Sequence, residues 1–210
     1  MSKTLIIWRH GQTDYNLGRR VQGQVDIPLN ERGRAQAEAA ASVLAGLPIS
    51  RIVASPLGRA RETAETVARR LGMAVELDER LKERNFGSWE GLTAEEIQAG
   101  WPEDFTSWRD WGDPNPERTG VELRREVGER VAESWREHAG RIVDGETMLL
   151  VSHGSACTQG VTAMLGIDPS DWFGIHGLDN CHWAVLQSSN RKPGWRIMGY
   201  NLGAEDTAIR

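Results

Sequence analysis

At 210 residues, with 39% hydrophobic and 26% charged side chains, the chain has the make-up of a globular domain large enough to bury its own core. A formal net charge of −5 argues against a nucleic-acid-binding role, so any anion site must be a local cationic pocket in an acidic protein. No apolar stretch approaches the ~18 residues of a membrane span, the N-terminus lacks the apolar core of a signal peptide, and two unclustered cysteines, Cys157 and Cys181, read as reduced structural thiols, so a cytoplasmic location is expected.

Leu5, Ile6, Ile7 and Trp8 form an apolar run without alternation, the pattern of a strand buried on both faces. The run ends abruptly in Arg9-His10-Gly11. Open α/β sheets bind ligands beyond the carboxyl ends of their strands, where this cation and imidazole are delivered. Gly11 there would let the backbone approach a ligand closely. Residues 14–29 read as loop, punctuated by Gly18, Gly23 and Pro28. Asn30 is a plausible N-cap for a helix to about Leu44, with Ala37, Ala40, Ala41 and Leu44 on one face. Residues 51–55 form a second strand, and Pro56 fits the first turn of the next helix, which ends at Gly72. Residues 73–77 form a third strand. This alternation predicts βαβ crossovers and an α/β fold: a three-layer α/β/α sandwich with a mainly parallel central sheet.

After a loop at 81–91, Thr93 and Glu96 form a capping box for a short helix. Residues 101–120, rich in Trp, Pro and acids, fit no regular strand and read as an irregular insertion over the ligand edge of the sheet. The lid-like insertion is bounded at about 92–122, within a single domain spanning 1–210. Leu123, Val127, Val131 and Trp135 recur every four residues and mark a helix to about Ala139. Residues 147–152 are another buried strand, ending in His153-Gly154. A helix over 155–165 and a strand pair at 181–187 and 195–200 complete the chain.

Two strands thus end in His-Gly, and neighbouring parallel strands would bring both imidazoles to one edge. A lone strand-end histidine is ordinarily structural; two placed alike are harder to dismiss. Arg59 lies in the first turn of its helix, where the N-terminus favours an anion. Glu83 in the 81–91 loop is the candidate acid, with Glu90 its near neighbour in sequence. His138, His176 and His182 have no motif around them and read as surface or packing residues. Trp101, Trp108 and Trp111 share one side if their segment is helical; packing onto the sheet is the favoured role, an apolar lid over an organic leaving group the alternative.

The string Arg9-His-Gly-Gln-Thr-x-x-Asn16, the segment Ser55-Pro-Leu-Gly-Arg59, the segment Leu81-x-Glu83-x-x-Phe-Gly-x-Trp-Glu-Gly91 and the string Val151-Ser-His153-Gly154 resemble, in order, four motifs of the histidine phosphatase superfamily, the phosphoglycerate-mutase-like fold. Nearly the whole chain is covered. The strings Gln12-Thr-Asp-Tyr-Asn16 and Gln22-Gly-Gln-Val-Asp26, with Trp195-x-x-x-x-Tyr200-Asn201 near the end, look most like those of actinobacterial phosphatases, glucosyl-3-phosphoglycerate phosphatases among them. The resemblance implies that His10 is phosphorylated, that Arg9 and Arg59 bind phosphate, that Glu83 donates a proton to the leaving group and that His153 completes the site. Asn16, Gln22, Gly23, Gly154 and Ser155 fall where the family contacts phosphate or substrate. One departure is Gly120-Val121-Glu122, where many members have Gly-Glu-Ser before the helix.

The implied chemistry is physically coherent. Two guanidinium groups offset the charge of a phosphate monoester and keep His10 neutral and nucleophilic. They do a metal's electrostatic work, so neither metal nor cofactor is expected. The expected partner is a small phosphorylated substrate such as a sugar phosphate or phosphoglycerate derivative, with no nucleic acid or membrane and with a homodimer left possible. The resemblance also carries two alternatives: a cofactor-dependent phosphoglycerate mutase, and a non-catalytic domain of the same fold that binds a phosphorylated ligand.

Overall fold

The computed structural model describes residues 2–206. A six-stranded sheet runs in the order β3-β2-β4-β1-β5-β6, built from β1 (Thr4–Arg9), β2 (Ile49–Ala54), β3 (Glu76–Leu77), β4 (Thr147–Ser152), β5 (Trp183–Ser188) and β6 (Trp195–Leu202). The pairs β1–β4, β2–β4 and β2–β3 are parallel; β5 and β6 add an antiparallel edge. Between the strands lie α1 (Asp14–Leu17), α2 (Glu31–Leu44), α3 (Gly58–Leu71), α4 (Ala94–Gly100), α5 (Pro102–Trp111), α6 (Pro116–Thr119), α7 (Arg124–Ala139) and α8 (Gly154–Met164).

The alternating side chains of β1 explain the three layers. Leu5 and Ile7 join Met148, Leu150 and the α7–α8 residues Val131, Trp135 and Val161 in one core. Ile6 and Trp8 point the other way, into Leu149, Val151 and the α2–α3 residues Ala41, Leu44, Ala64 and Val67. Both faces are covered, so the strands carry unbroken apolar runs. A third, smaller core of Trp89, Ile97, Phe105 and Val121 sits under the segment before α7.

Several boundaries differ from the sequence-based expectation for physical reasons. The expected loop at 14–29 opens with α1, which Thr13 and Asn16 close with a capping box. Helix α3 starts at Gly58, because Leu57 keeps an extended ψ of 132° and Pro56 precedes it. Strand β3 has two residues instead of five, since it is a sheet edge paired only to the end of β2. Segment 101–120 is largely helical rather than irregular. Pro102 and Pro116 open α5 and α6, where a missing N–H costs nothing. Trp108 packs edge-to-face on Trp89, with ring centroids 5.7 Å apart, and Trp101 packs on the same core; Trp111 is 75% exposed.

Candidate active site

Parallel pairing places Arg9 beside Ser152, so His10 and His153 emerge side by side at the carboxyl edge, with ring centroids 5.1 Å apart. His10 is 2% exposed. Its Nδ1 lies 2.7 Å from the carbonyl oxygen of Gly11 and donates to it, which leaves the lone pair on Nε2. No group among the described residues bonds Nε2. The backbone carbonyl of His10 accepts from Asn180 Nδ2 at 3.0 Å, and the same amide donates to Asn16 Oδ1 at 3.2 Å. Gly11 serves a different close approach from the expected one: a Cβ there would lie 2.4 Å from the Gly33 carbonyl oxygen, where α2 meets the strand end.

Arg59 is fully buried. Its Nη1 and Nη2 donate to the carbonyls of Val25 and Gly23, each at 2.8 Å, and its Nε donates to His153 Nδ1 at 3.2 Å. Of the five guanidinium N–H groups, two remain for an anion. Arg9 is freer: Nη1 donates to the Leu178 carbonyl at 2.5 Å, and Nε is buried without a partner. Burial lowers the pKa of both guanidiniums, opposed first by Glu83, and both stay cationic. The second ring nitrogen of His153 sits 2.8 Å from Ser55 Oγ. Because Nδ1 accepts from Arg59, the neutral ring carries its proton on Nε2 and donates it to the Ser55 hydroxyl.

Glu83 reaches the N-terminus of α8. Its carboxylate accepts from the backbone N–H of Arg84 (2.8 Å), Ser155 (3.1 Å) and Ala156 (2.8 Å). The N–H of Ser155, one of the residues expected near phosphate, is thus bonded to Glu83. Gly154 lies against the guanidinium of Arg9, its would-be Cβ 3.5 Å from Cζ. Gln22 Oε1 accepts from Thr13 Oγ1 at 2.7 Å, and Gly23, at φ +53°, presents its carbonyl to Arg59. Glu90 ties two loops together through the N–H groups of Gln24 and Phe86, at 2.8 and 3.1 Å. It braces the wall of the site.

Sequence reasoning missed the residues that carry Glu83. Arg130 donates to the carbonyls of Arg80, Lys82 and Glu83 at 2.7, 2.8 and 3.0 Å, and both oxygens of Glu122 hold Arg130 in place. Ser152 Oγ donates to the Leu81 carbonyl at 2.7 Å. The altered Gly120-Val121-Glu122 string therefore still supplies a carboxylate to this wall. The available signal was Arg130 itself, one residue before Val131 on an otherwise inward-facing helical stripe. His138 is a packed core histidine, with Nε2 3.0 Å from Asp78 Oδ2. Both cysteines are buried free thiols. Among the described residues no cluster of three His, Cys, Asp or Glu is disposed to hold a metal ion, and no helix is long and apolar enough to cross a membrane.

Burial, then Arg59, holds both imidazoles well below their ordinary 6.5; Arg9 adds to the effect on each, and His10 itself acts on His153. The native site keeps both rings neutral, whereas the unfolded chain protonates them below about 6.5. The unfolded state thus binds more protons as pH falls, so this stability is complete above 6.5 and lost below it. Urea unfolding should show a loss approaching ~1.4 kcal/mol per pH unit for each imidazole. The double variant His10→Ala, His153→Ala should lack that part of the slope; an unchanged slope would mean the rings are charged in the native protein.

Two imidazoles, two arginines and one carboxylate on a single sheet edge are a set suited to moving a phosphoryl group. A profile for the histidine phosphatase superfamily (branch 1) matches residues 5–202, and the chain belongs to that family. It is a phosphatase, a phosphoric monoester hydrolase. It is 37% identical to the glucosyl-3-phosphoglycerate phosphatase of Mycobacterium tuberculosis, over 97% of this chain and 96% of the relative. A solved mycobacterial glucosyl-3-phosphoglycerate phosphatase with VO3 superimposes with a TM-score of 0.85 at 36% identity, covering 95% of this chain and 99% of that one. A probable phosphoglycerate mutase of Cronobacter sakazakii is 37% identical over 76% of this chain and 73% of the relative.

Proposed function

We propose that the enzyme hydrolyses a small phosphorylated metabolite of the glucosyl-3-phosphoglycerate type through a phosphohistidine on His10. The observation that carries this reading is the free Nε2 of a neutral, buried His10 oriented by the Gly11 carbonyl beside Arg9 and Arg59. Nε2 attacks phosphorus as the P–O bond to the leaving group breaks. Arg9, with the remaining N–H groups of Arg59, binds the equatorial oxygens, where the transition-state charge spreads. Asn16, Gln22 and the backbone at Gly23 and Gly154 line the same anion site, and His153 adds a donor at Nδ1 when Arg59 Nε turns to the phosphate and the ring takes its other tautomer, with Nε2 then accepting from the Ser55 hydroxyl. Glu83 protonates the leaving oxygen, then takes a proton from the water that releases phosphate from His10. The segment at 92–122 acts as the lid. The similarity to glucosyl-3-phosphoglycerate phosphatases supports the substrate class.

The test is phosphate release across sugar phosphates, phosphoglycerates and nucleotides, with and without chelator and vanadate. Glucosyl-3-phosphoglycerate should be among the best substrates, vanadate should inhibit, and chelator should change little because arginines supply the charge. Activity lost in chelator and restored by a divalent ion would overturn the metal-free reading. Conversion of 3-phosphoglycerate to its isomer without phosphate release would favour the mutase alternative that one relative's name suggests.

A further inference from the structure

Just ahead of β5, the segment 178–181 closes against the end of β1. The Leu178 carbonyl accepts from Arg9, and the Cys181 N–H donates to the carbonyls of Arg9 and His10, at 3.1 and 3.3 Å. Asp179 is clamped to β6: its N–H donates to Asn201 Oδ1 at 2.8 Å, and Asn201 Nδ2 donates back to its carboxylate at 2.9 Å. Cys181 holds φ +60°, a left-handed conformation that a residue with a Cβ adopts only under constraint. Between these anchors lies Asn180. Its Nδ2 donates twice, to the His10 carbonyl at 3.0 Å and to Asn16 Oδ1 at 3.2 Å.

The partners fix the orientation of both amides. A backbone carbonyl only accepts, so Asn180 must face His10 with its N–H₂ group. A backbone N–H only donates, so the atom of Asn16 that meets the Thr13 N–H, at 3.1 Å, must be its oxygen. The Thr13 hydroxyl, also 3.1 Å from that oxygen, gives its one proton to Gln22 at 2.7 Å. Asn16 Oδ1 is thus held from two sides, by the turn it belongs to and by Asn180, 164 residues away. Its Nδ2 bonds nothing among the described residues. One donor leaves an amide plane free to swing about the contact; a second, from another element, fixes it. We infer that Asn180 is a positioning residue: by holding Asn16 Oδ1 and the His10 carbonyl with one amide group, it sets the Asn16 N–H₂ group toward the phosphoryl group that His10 receives. The inference rests on the reading of Asn16 as an anion ligand in the phosphatase site.

The experiment measures kcat/KM for p-nitrophenyl phosphate and the inhibition constant of inorganic phosphate in wild type, Asn16→Ala, Asn180→Ala and the double variant. Asn16→Ala should weaken both about 10- to 100-fold, the range of one charge-assisted hydrogen bond, and Asn180→Ala about 3- to 10-fold, the range of one neutral bond. The two losses should not multiply: the double variant should match Asn16→Ala, because Asn180 then has no amide left to position. An Asn180 that only braces the fold would give losses that multiply, and that outcome overturns the inference. So does wild-type phosphate affinity in folded Asn180→Ala. If Asn180→Ala does not fold, Asn180→Ser decides, because its hydroxyl can keep the His10 carbonyl but has one proton and a shorter reach; it should show the same loss, again absent when Asn16 is alanine. In wild type itself the side-chain amide resonances of Asn16 should shift when phosphate is added. An Asn16 amide that ignores bound phosphate overturns the inference and the reading of Asn16 as an anion ligand, while phosphate release by the wild type keeps the phosphatase reading. No release by the wild type would overturn that reading itself and the inference with it.

Discussion

His10→Ala should be folded and inactive, with turnover reduced at least ~10⁴-fold, as expected for loss of a covalent nucleophile. Its fold should persist because the ring makes a single hydrogen bond, to the carbonyl next to it in the chain. The strand end is held by backbone instead: His10 N–H donates to the Ser152 carbonyl at 3.0 Å, and Asn180 and Cys181 bond the His10 carbonyl. The cost is a cavity beside His153, worth about 1–3 kcal/mol. Wild type quenched during turnover of a labelled ester should carry acid-labile, base-stable phosphate, and the variant should carry none. Undiminished turnover in a folded His10→Ala protein would sink the covalent mechanism.

Glu83→Gln should divide substrates by leaving group. With a sugar or glycerate alkoxide, which needs a proton to depart, phosphorylation should slow by ~10²–10⁴-fold. With p-nitrophenyl phosphate, whose leaving group is stable as the anion, phosphorylation should be far less impaired. Dephosphorylation lacks its base in either case, so phosphohistidine should accumulate and rapid quench should show a burst followed by a slow phase. The structure adds a constraint. Glutamine can keep its oxygen for the N–H groups of Arg84 and Ala156, which share one carboxylate oxygen, but it then turns an amide N–H₂ toward the N–H of Ser155. Glu83→Ala therefore serves as a companion that places no donor against α8. If phosphorylation falls equally on both substrates in both variants, the acid lies elsewhere. Glu90 is a poor replacement, because its Oε1 is occupied by two backbone N–H groups.

Features legible in the sequence were those set within a few residues. The apolar run at 5–8 and the run at 147–152 required doubly buried strands, and each strand necessarily delivered the next residue, His10 or His153, to the edge. Thr93 and Glu96 form their cap because both partners lie in one turn. The motifs around Glu83 and Arg59 singled out a carboxylate that the fold anchors on α8 and a guanidinium that it buries against His153. The helices at 102–111 and 116–119 were misjudged because proline stops a helix in its interior but opens one at its first position, and local composition does not separate the two cases.

Local pattern was enough to give the α/β layering and the two histidines at strand ends, and the motifs to give the family. Tertiary structure alone decided which partner each hydrogen-bonding group takes. The N–H of Ser155 goes to Glu83, 72 residues away in the chain. Arg59 divides its donors among Gly23, Val25 and His153. Glu122 acts through Arg130 on the loop that carries Glu83, and Arg124 reaches across to the Trp172 carbonyl. Hydrophobic period and capping act over one or two turns, so the chain displays them locally. A buried donor chooses among acceptors brought to it from distant elements, and that competition is resolved only when the sheet and its two helical layers have closed around the site.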